Sequence, residues 1–268
     1  MPPPAFAADA WGARARFGLF IVGAEVVPEA EWSAMAPEGV SIHAARVAAP
    51  APWAPWRVDR SGVDLSDDLA RGAAWFSAAR LSAVVIAHST SSVVGGEGWD
   101  DAACARLAEA LLPGTHVTTN GRDCTLALRA SDVRRPFVVL PPWFGDPALD
   151  AARSYFEREG LAPAALFRHV PEPRWANTPP SALYAEGMHV AQRLDLLHDQ
   201  VLAECPADAD GVLLVGTGLR CVGAVATLES ALDRPVITAN QASLWRCLAL
   251  TGVGAPVEGY GALFSLRP

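Results

Sequence analysis

Six short apolar runs bounded by turn residues alternate with helix-like stretches, and this alternation constrains the fold more than any other feature. The runs lie at 17–23, 81–88, 115–119, 135–142, 211–216 and 234–240. The helix-like stretches between them include 100–112, 146–160 and 181–204. Strands that alternate with helices form parallel sheets covered by helices on both faces. The sequence therefore predicts an α/β fold, in which ligands bind beyond the carboxyl ends of the strands.

A similarity between two segments of the chain, here called the internal echo, makes this prediction more specific. Residues 116–133 align without a gap on residues 236–253, with Thr118 over Thr238 and Asn120 over Asn240. Each copy reads as a strand, then T-x-N, then a helix, and each follows a strand that ends in hydroxyls and glycine. We expect two pseudo-symmetric lobes, each a parallel sheet flanked by helices, with the active site in the cleft between them. The alternative is chance similarity, because amphipathic patterning alone makes strand-helix units resemble one another.

The two lobes are predicted to divide the chain unequally in sequence. Lobe 1 comprises residues 15–118 plus 238–268, and lobe 2 comprises residues 119–237. The proline-rich segments 48–56 and 171–181 cannot continue a helix or lie in the centre of a sheet, so both are predicted loops. Such loops serve as lids or subunit contacts, or as plain surface connections.

Composition favours a small-molecule ligand. The chain has 268 residues, 51% of them hydrophobic, and a formal charge of -8 with scattered basic residues. This pattern argues against nucleic acid as a partner. No apolar run reaches the roughly 20 residues that a membrane-spanning helix requires, and the run at 17–23 meets Glu25 too early for a signal peptide. We therefore expect no membrane association.

The cysteines and histidines predict neither disulfides nor a metal site. The five cysteines form an odd set without C-x-x-C spacing, which indicates a reducing, cytoplasmic location. Cys124, Cys221 and Cys247 fall in predicted helices and are interpreted as core residues. His189 and His198 are nine residues apart, a spacing that does not place two ligands on one helix face.

Polar residues after the predicted strands are the candidate ligands. The residues Ser89, Thr90, Ser91, Thr217, Asn120 and Asn240 are suited to bind a carboxylate, although Ser, Thr and Asn also cap helices.

Three further residues each allow two interpretations. His88 ends a strand and titrates where proton transfer near neutral pH is efficient, unless it is a structural histidine. Glu25 is either a base with a raised pKa or a solvated loop carboxylate. Trp143 is either the wall of an apolar pocket or a core residue.

Several ordered motifs resemble one enzyme family. They are VVIAHSTSSVVGGEGWD (84–100), TTNGRDCTLALRASDVRRPFVV (118–139), GVLLVGTGLR (211–220), RPVITANQASLW (234–245) and GYGALF (259–264). Together they resemble the maleate isomerase and arylmalonate decarboxylase branch of the aspartate/glutamate racemase superfamily, and the likeness extends over about residues 17–264.

The resemblance implies an enzyme that acts on small carboxylates without a metal or organic cofactor. In this family racemases use two facing cysteines as acid and base, isomerases use one as a nucleophile, and the decarboxylase uses one to protonate an enediolate. That enediolate is held by hydroxyl and backbone N–H donors, as in an oxyanion hole. The resemblance also implies a possible homo-oligomer, a dimer or larger.

This chain departs from the family at the reacting positions. The second cysteine falls on Gly216, and the first falls on Ser89 or on His88, depending on which motif anchors the alignment. A common asparagine falls near Glu25, and a common tyrosine falls on Trp143. Because serine and glycine cannot replace a thiolate, racemisation by two cysteines is not expected.

The sequence therefore predicts a cofactor-independent isomerase or decarboxylase that acts on a small carboxylate or dicarboxylate. The proposed catalytic residues are His88, Ser89 and Glu25. The proposed substrate-binding residues are Thr90, Ser91, Asn120, Trp143, Gly216, Thr217, Gly218 and Asn240. The alternatives are a non-catalytic carboxylate-binding relative, or a lyase or hydrolase adapted on the same cleft, because a fold does not determine its reaction.

Overall fold

The strands form two separate parallel sheets. The computed structural model describes residues 10–254 and 256–267, and within them it contains two four-stranded sheets. The first sheet contains β1 (Ala15–Val22), β2 (Val40–Val47), β3 (Ala83–Ile86) and β4 (His116–Thr119). The second contains β5 (Pro136–Leu140), β6 (Ala165–Arg168), β7 (Gly211–Leu214) and β8 (Val236–Thr238). Their orders, β2-β1-β3-β4 and β6-β5-β7-β8, are the same topology repeated, so the predicted α/β fold is confirmed.

The helices flank these sheets. They are α1 (Val27–Met35), α2 (Asp67–Ala78), α3 (Ser89–Gly95), α4 (Trp99–Glu109), α5 (Asn120–Ala130), α6 (Asp146–Arg158), α7 (Pro180–Leu183), α8 (Met188–Ala191), α9 (Leu194–Glu204), α10 (Val225–Leu232) and α11 (Ala239–Leu250). Short 3-10 turns lie at Pro173–Trp175, Val222–Ala224 and Leu263–Ser265. Among the described residues, each helix is too short or too polar to cross a bilayer.

Sequence patterning was wrong about the predicted helix at 181–204. This stretch divides into α7, α8 and α9. Gly187 has φ +84, a left-handed conformation that stops a helix, and Gln192 after α8 is extended, with ψ 133. The apolar runs in the sequence also did not predict β2. Most residues of this strand are only partly buried and form no continuous apolar run.

Each lobe buries its sheet on both faces. Phe20 and Ile86 of the first sheet pack with α2 and α4, and Leu19 and Val85 pack on the opposite face with Leu244 of α11. Helix α5 directly follows the first sheet, but its buried residues pack with β5 and β7 of the second. The two helices therefore cross between the lobes, and the division at 118/119 and 237/238 stays a prediction.

The helix starts refine the internal echo. Thr119 is the N-cap of α5 and Thr238 is the N-cap of α11, so α11 begins one residue earlier in the gapless alignment, whereas the two C-caps, Ser131 and Thr251, keep the aligned spacing. Thr238 forms a capping box with Gln241, which satisfies two N–H groups at the helix start.

Candidate active site

A cavity of about 250 Å³ lies between the lobes at the carboxyl ends of the central strands. Lobe 1 contributes Val22, Glu25, His88, Ser89 and Thr90, and lobe 2 contributes Trp143, Phe144, Gly145, Ala148, Tyr184, Gly216, Thr217 and Gly218. This is the position at which parallel sheets bind their ligands. A larger groove of about 500 Å³ lies along α4, α5 and α6, but two of its arginines, Arg122 and Arg129, are paired with acidic residues. The strand-end cavity is therefore the candidate site.

Most of the predicted site residues meet in this cavity. Those that line it are Glu25, His88, Ser89, Thr90, Trp143, Gly216, Thr217 and Gly218. The structure does not bring Ser91, Asn120 or Asn240 to the cavity surface; all three are buried behind it.

Each of these three side chains makes structural hydrogen bonds, although the Asn240 Oδ1 atom has no partner among the described residues. The Asn120 amide donates to the Ala239 carbonyl at 2.8 Å and accepts from Ser89 Oγ at 2.6 Å. The Asn240 amide donates to Glu31 at 2.7 Å and to the Thr217 carbonyl at 3.0 Å. Both asparagines therefore connect neighbouring elements around the site through hydrogen bonds. The structure does not support direct contact between either side chain and a substrate.

Glu25 is a buried acid in the cavity wall. Its side chain is 4% exposed, and this burial raises its pKa to about 8 because the charged form loses hydration. Its Oε2 lies 3.5 Å from Thr217 Oγ1. The interpretation of Glu25 as a solvated loop carboxylate is therefore wrong, and at neutral pH most of this group is a neutral carboxylic acid.

His88 and Gly216 occupy equivalent positions in the two lobes. After β3, the Ala87 N–H donates to the Phe20 carbonyl at 3.0 Å, and after β7 the Val215 N–H donates to the Val139 carbonyl at 2.9 Å. The next residue in each lobe enters the cavity. This equivalence supports the alignment that gives the first family cysteine position to His88 rather than to Ser89.

The surroundings of His88 move its pKa away from the neutral range that the sequence predicts. Its ring stacks on Trp53, with centroids 4.0 Å apart and an interplanar angle of 14°. Its Nδ1 lies 2.8 Å from Ser91 Oγ, which also accepts a hydrogen bond from the backbone N–H of Trp53 at 3.0 Å. Burial lowers the pKa of His88 to about 3, so the ring is neutral near pH 7. The 48–56 loop supplies Trp53 to support this ring.

Gly216 is held in a conformation that rejects a side chain. Its φ is +95, and a Cβ atom here would lie 2.4 Å from Pro141 Cγ. We expect Gly216→Cys to lower the free energy of unfolding by about 2 kcal/mol, since the left-handed conformation alone costs about 1–2 kcal/mol. Denaturant unfolding measures this change. The control is Gly254→Cys, where a Cβ meets nothing within 4 Å; equal stability of the two variants would contradict the prediction.

Sequence reasoning missed the tyrosine of the described cavity lining, Tyr184. Its ring meets Trp143 edge to face at 5.2 Å and stacks on His189 at 4.1 Å. Tyr184 lies within the stretch that patterning assigned to a continuous helix, so no strand-end signal marked it. The missed apolar residues Phe144 and Ala148 follow β5 and lie beside Trp143 in the cavity wall.

Comparisons with known proteins agree with this architecture. The sequence profile of arylmalonate decarboxylase matches residues 26–264. The arylmalonate decarboxylase of Bordetella bronchiseptica is 30% identical over 189 residues, which are 68% of this chain and 71% of that protein. The structure of an unliganded arylmalonate decarboxylase has a TM-score of 0.72 and 21% identity, covering 94% of this chain and 99% of that chain.

A maleate isomerase has a similar fold. The enzyme from Pseudomonas putida gives a TM-score of 0.75 at 20% identity, over 94% of this chain and 98% of that chain. The structural likenesses establish the fold, and the profile and the curated relative establish the family. The chain belongs to the arylmalonate decarboxylase family.

Proposed function

We propose that this family member is a cofactor-independent decarboxylase of a small malonate-type dicarboxylate, in which Glu25 delivers the proton. The observation that supports this most strongly is the buried Glu25 carboxyl, with a pKa raised to about 8, in the wall of the inter-lobe cavity. A raised pKa keeps a carboxyl protonated near neutral pH, which is what a general acid requires.

The absence of a cysteine from the described cavity lining favours decarboxylation over isomerisation. Cys221, five residues beyond Gly216, is buried, and burial raises its pKa well above the ordinary value, so it is not a poised thiolate. In this family isomerisation is associated with a cysteine nucleophile and decarboxylation with a cysteine proton donor, and a carboxylic acid can take over the second role but not the first. The residues present can fill the second role.

The proposed reaction balances with the groups at hand. The bond between the α-carbon and one carboxylate breaks, carbon dioxide leaves, and the electron pair remains on the other carboxylate as an enediolate. Glu25 then donates its proton to the α-carbon and becomes a carboxylate. Solvent returns a proton to Glu25, so each turnover consumes one proton.

Neutral donors hold the substrate in this proposal. Among the described lining residues there is no Lys or Arg, so hydroxyl and N–H groups must bind the negative charge. The Thr90 hydroxyl and the backbone N–H groups of Thr217 and Gly218 make no hydrogen bond within the described part of the chain. Preorganised donors of this kind stabilise charge as it develops.

The proposed role of Glu25 has a pH dependence. Its pKa is raised to about 8, so the acid form is present below this pH and is lost above it. We expect kcat/KM to fall about tenfold per pH unit above pH 8. Asp123 is also buried, with a pKa near 8, but lies outside the cavity. The Asp123→Asn variant should therefore keep the same alkaline limb; loss of that limb in this variant would assign it to Asp123.

A substrate panel tests the function itself. Malonate, phenylmalonate and maleate are each incubated with the protein and followed by ¹³C NMR. The proposal predicts release of carbon dioxide from a malonate and no conversion of maleate to fumarate. Fumarate formation without decarboxylation would overturn it.

We also propose a cytoplasmic location and a homo-oligomer. All five cysteines are free thiols in the structure, which fits a reducing compartment. Size-exclusion chromatography with light scattering tests the oligomer, and a mass equal to one 28.2 kDa chain would contradict it.

A further inference from the structure

We propose that the Tyr184 hydroxyl binds the oxygen of the enediolate and so replaces the tyrosine that the family has at the position of Trp143. This inference rests on the proposed decarboxylation. It assigns a substrate-binding role to a residue on the 169–193 segment, which the strand-end motifs do not include. Tyr184 and Trp143 are neighbours in the cavity wall, so the hydroxyl that Trp143 lacks is present on the adjacent ring.

The hydroxyl of Tyr184 is buried without a partner. Its oxygen is inaccessible to solvent and makes no hydrogen bond of normal geometry within the described part of the chain, although the Glu25 carboxyl lies near enough to affect the pKa of the phenol. Buried hydroxyl groups are rarely left unpaired, because losing hydration without a new hydrogen bond costs about 1–3 kcal/mol. A ligand oxygen in the cavity would provide the missing acceptor.

The ring of Tyr184 is held in place on both sides. Trp143 packs against it edge to face, and His189 stacks on it with an interplanar angle of 10°. The His189 Nδ1 also lies 3.2 Å from the Tyr184 main-chain oxygen. A donor held this way needs little reorganisation when charge develops on the substrate.

Tyr184 and Glu25 converge beside one glycine. A Cβ atom on Gly218 would lie 2.5 Å from Glu25 Oε1 and 3.3 Å from Tyr184 Cε2. Burial, followed by the charge of Glu25, raises the pKa of Tyr184, so the phenol stays protonated as a donor. The proton donor and the oxygen-binding donor are therefore adjacent, as protonation of an enediolate requires.

The test is Tyr184→Phe, which removes the hydroxyl and keeps the ring between Trp143 and His189. We expect kcat to fall about 10²-fold with phenylmalonate, the typical effect of removing one oxyanion-hole donor, while KM changes little. Binding of phenylacetate, measured by calorimetry, should weaken about tenfold. A merely structural tyrosine would instead lower the melting temperature and leave the kcat of the folded enzyme unchanged.

Tyr155→Phe is the matched control. Tyr155 is also buried, but its hydroxyl donates to Asp100 Oδ2 at 2.8 Å outside the cavity, so this variant should retain the wild-type kcat. If the wild type decarboxylates and Tyr184→Phe keeps kcat and phenylacetate affinity within twofold, the inference is overturned and the proposed function stands. If the wild type neither turns over nor binds these ligands, both are overturned.

Discussion

Replacing Glu25 with glutamine is expected to reduce kcat for decarboxylation by about 10³-fold, within the range that general acids contribute. Glutamine has nearly the same shape as the carboxylic acid but cannot supply its acidic proton. Because burial keeps most of Glu25 neutral at pH 7, the substitution introduces no change of charge there. The melting temperature should therefore remain close to that of the wild type while turnover is lost.

Asp123→Asn separates this effect from a general effect of buried acids. Asp123 is fully buried and accepts a hydrogen bond from Thr118 Oγ1 at 2.5 Å, and burial raises its pKa to about 8 as well. It does not line the cavity, so its amide variant should turn over normally. A Glu25→Gln enzyme within tenfold of the wild-type kcat would show that another group delivers the proton.

The second large effect is expected from Gly218→Ala. The new Cβ would lie 2.5 Å from Glu25 Oε1, so the flexible carboxyl must move. A displacement of about 1 Å at a reacting group can cost about 10²-fold in rate, and we expect that loss in kcat. The φ of Gly218 lies outside the left-handed region, so the backbone should tolerate alanine and the stability should change little.

Gly254→Ala is the control for a glycine substitution as such. A Cβ atom at Gly254 meets nothing within 4 Å, so steady-state kinetics should match the wild type. The crystal structure of Gly218→Ala should show the Glu25 carboxyl displaced. Wild-type turnover by Gly218→Ala would mean that the Glu25 position observed in this structure is not required.

The sequence was most informative about the fold and the edge of the site. Apolar runs such as 81–88 and 211–216 are strands buried on both faces, and their pattern does not depend on distant contacts. Parallel strands end at one edge, so the sequence alone places His88, Thr90 and Thr217 in a common site.

The chemistry of the site could not be predicted, because it depends on tertiary burial. The residues next to Glu25 in the sequence do not indicate that its carboxyl is buried in the cavity wall. His88 likewise has a strand-end position typical of a catalytic histidine, but Trp53, 35 residues earlier in the chain, stacks on it in the cavity wall. Charge state follows from such contacts rather than from residue type.

Tyr184 shows a further limit of sequence reasoning. It lies on a segment whose apolar spacing resembles one helix, but the structure ends a short helix before Tyr184 and Gly187 interrupts the segment again with φ +84. Asn120 and Asn240 are the reverse case, since they lie in the expected motif but their amides are occupied by hydrogen bonds between elements. Hydrogen-bond partners across lobes cannot be inferred from one strand-helix unit.

The most direct test of the central claim is decarboxylation of 2-methyl-2-phenylmalonate, with the enantiomers of the product separated by chiral chromatography. Because one acid, Glu25, delivers the proton to one face of the enediolate, we expect release of carbon dioxide and one enantiomer of 2-phenylpropionate. A racemic product, or no release of carbon dioxide from this substrate, would contradict the account.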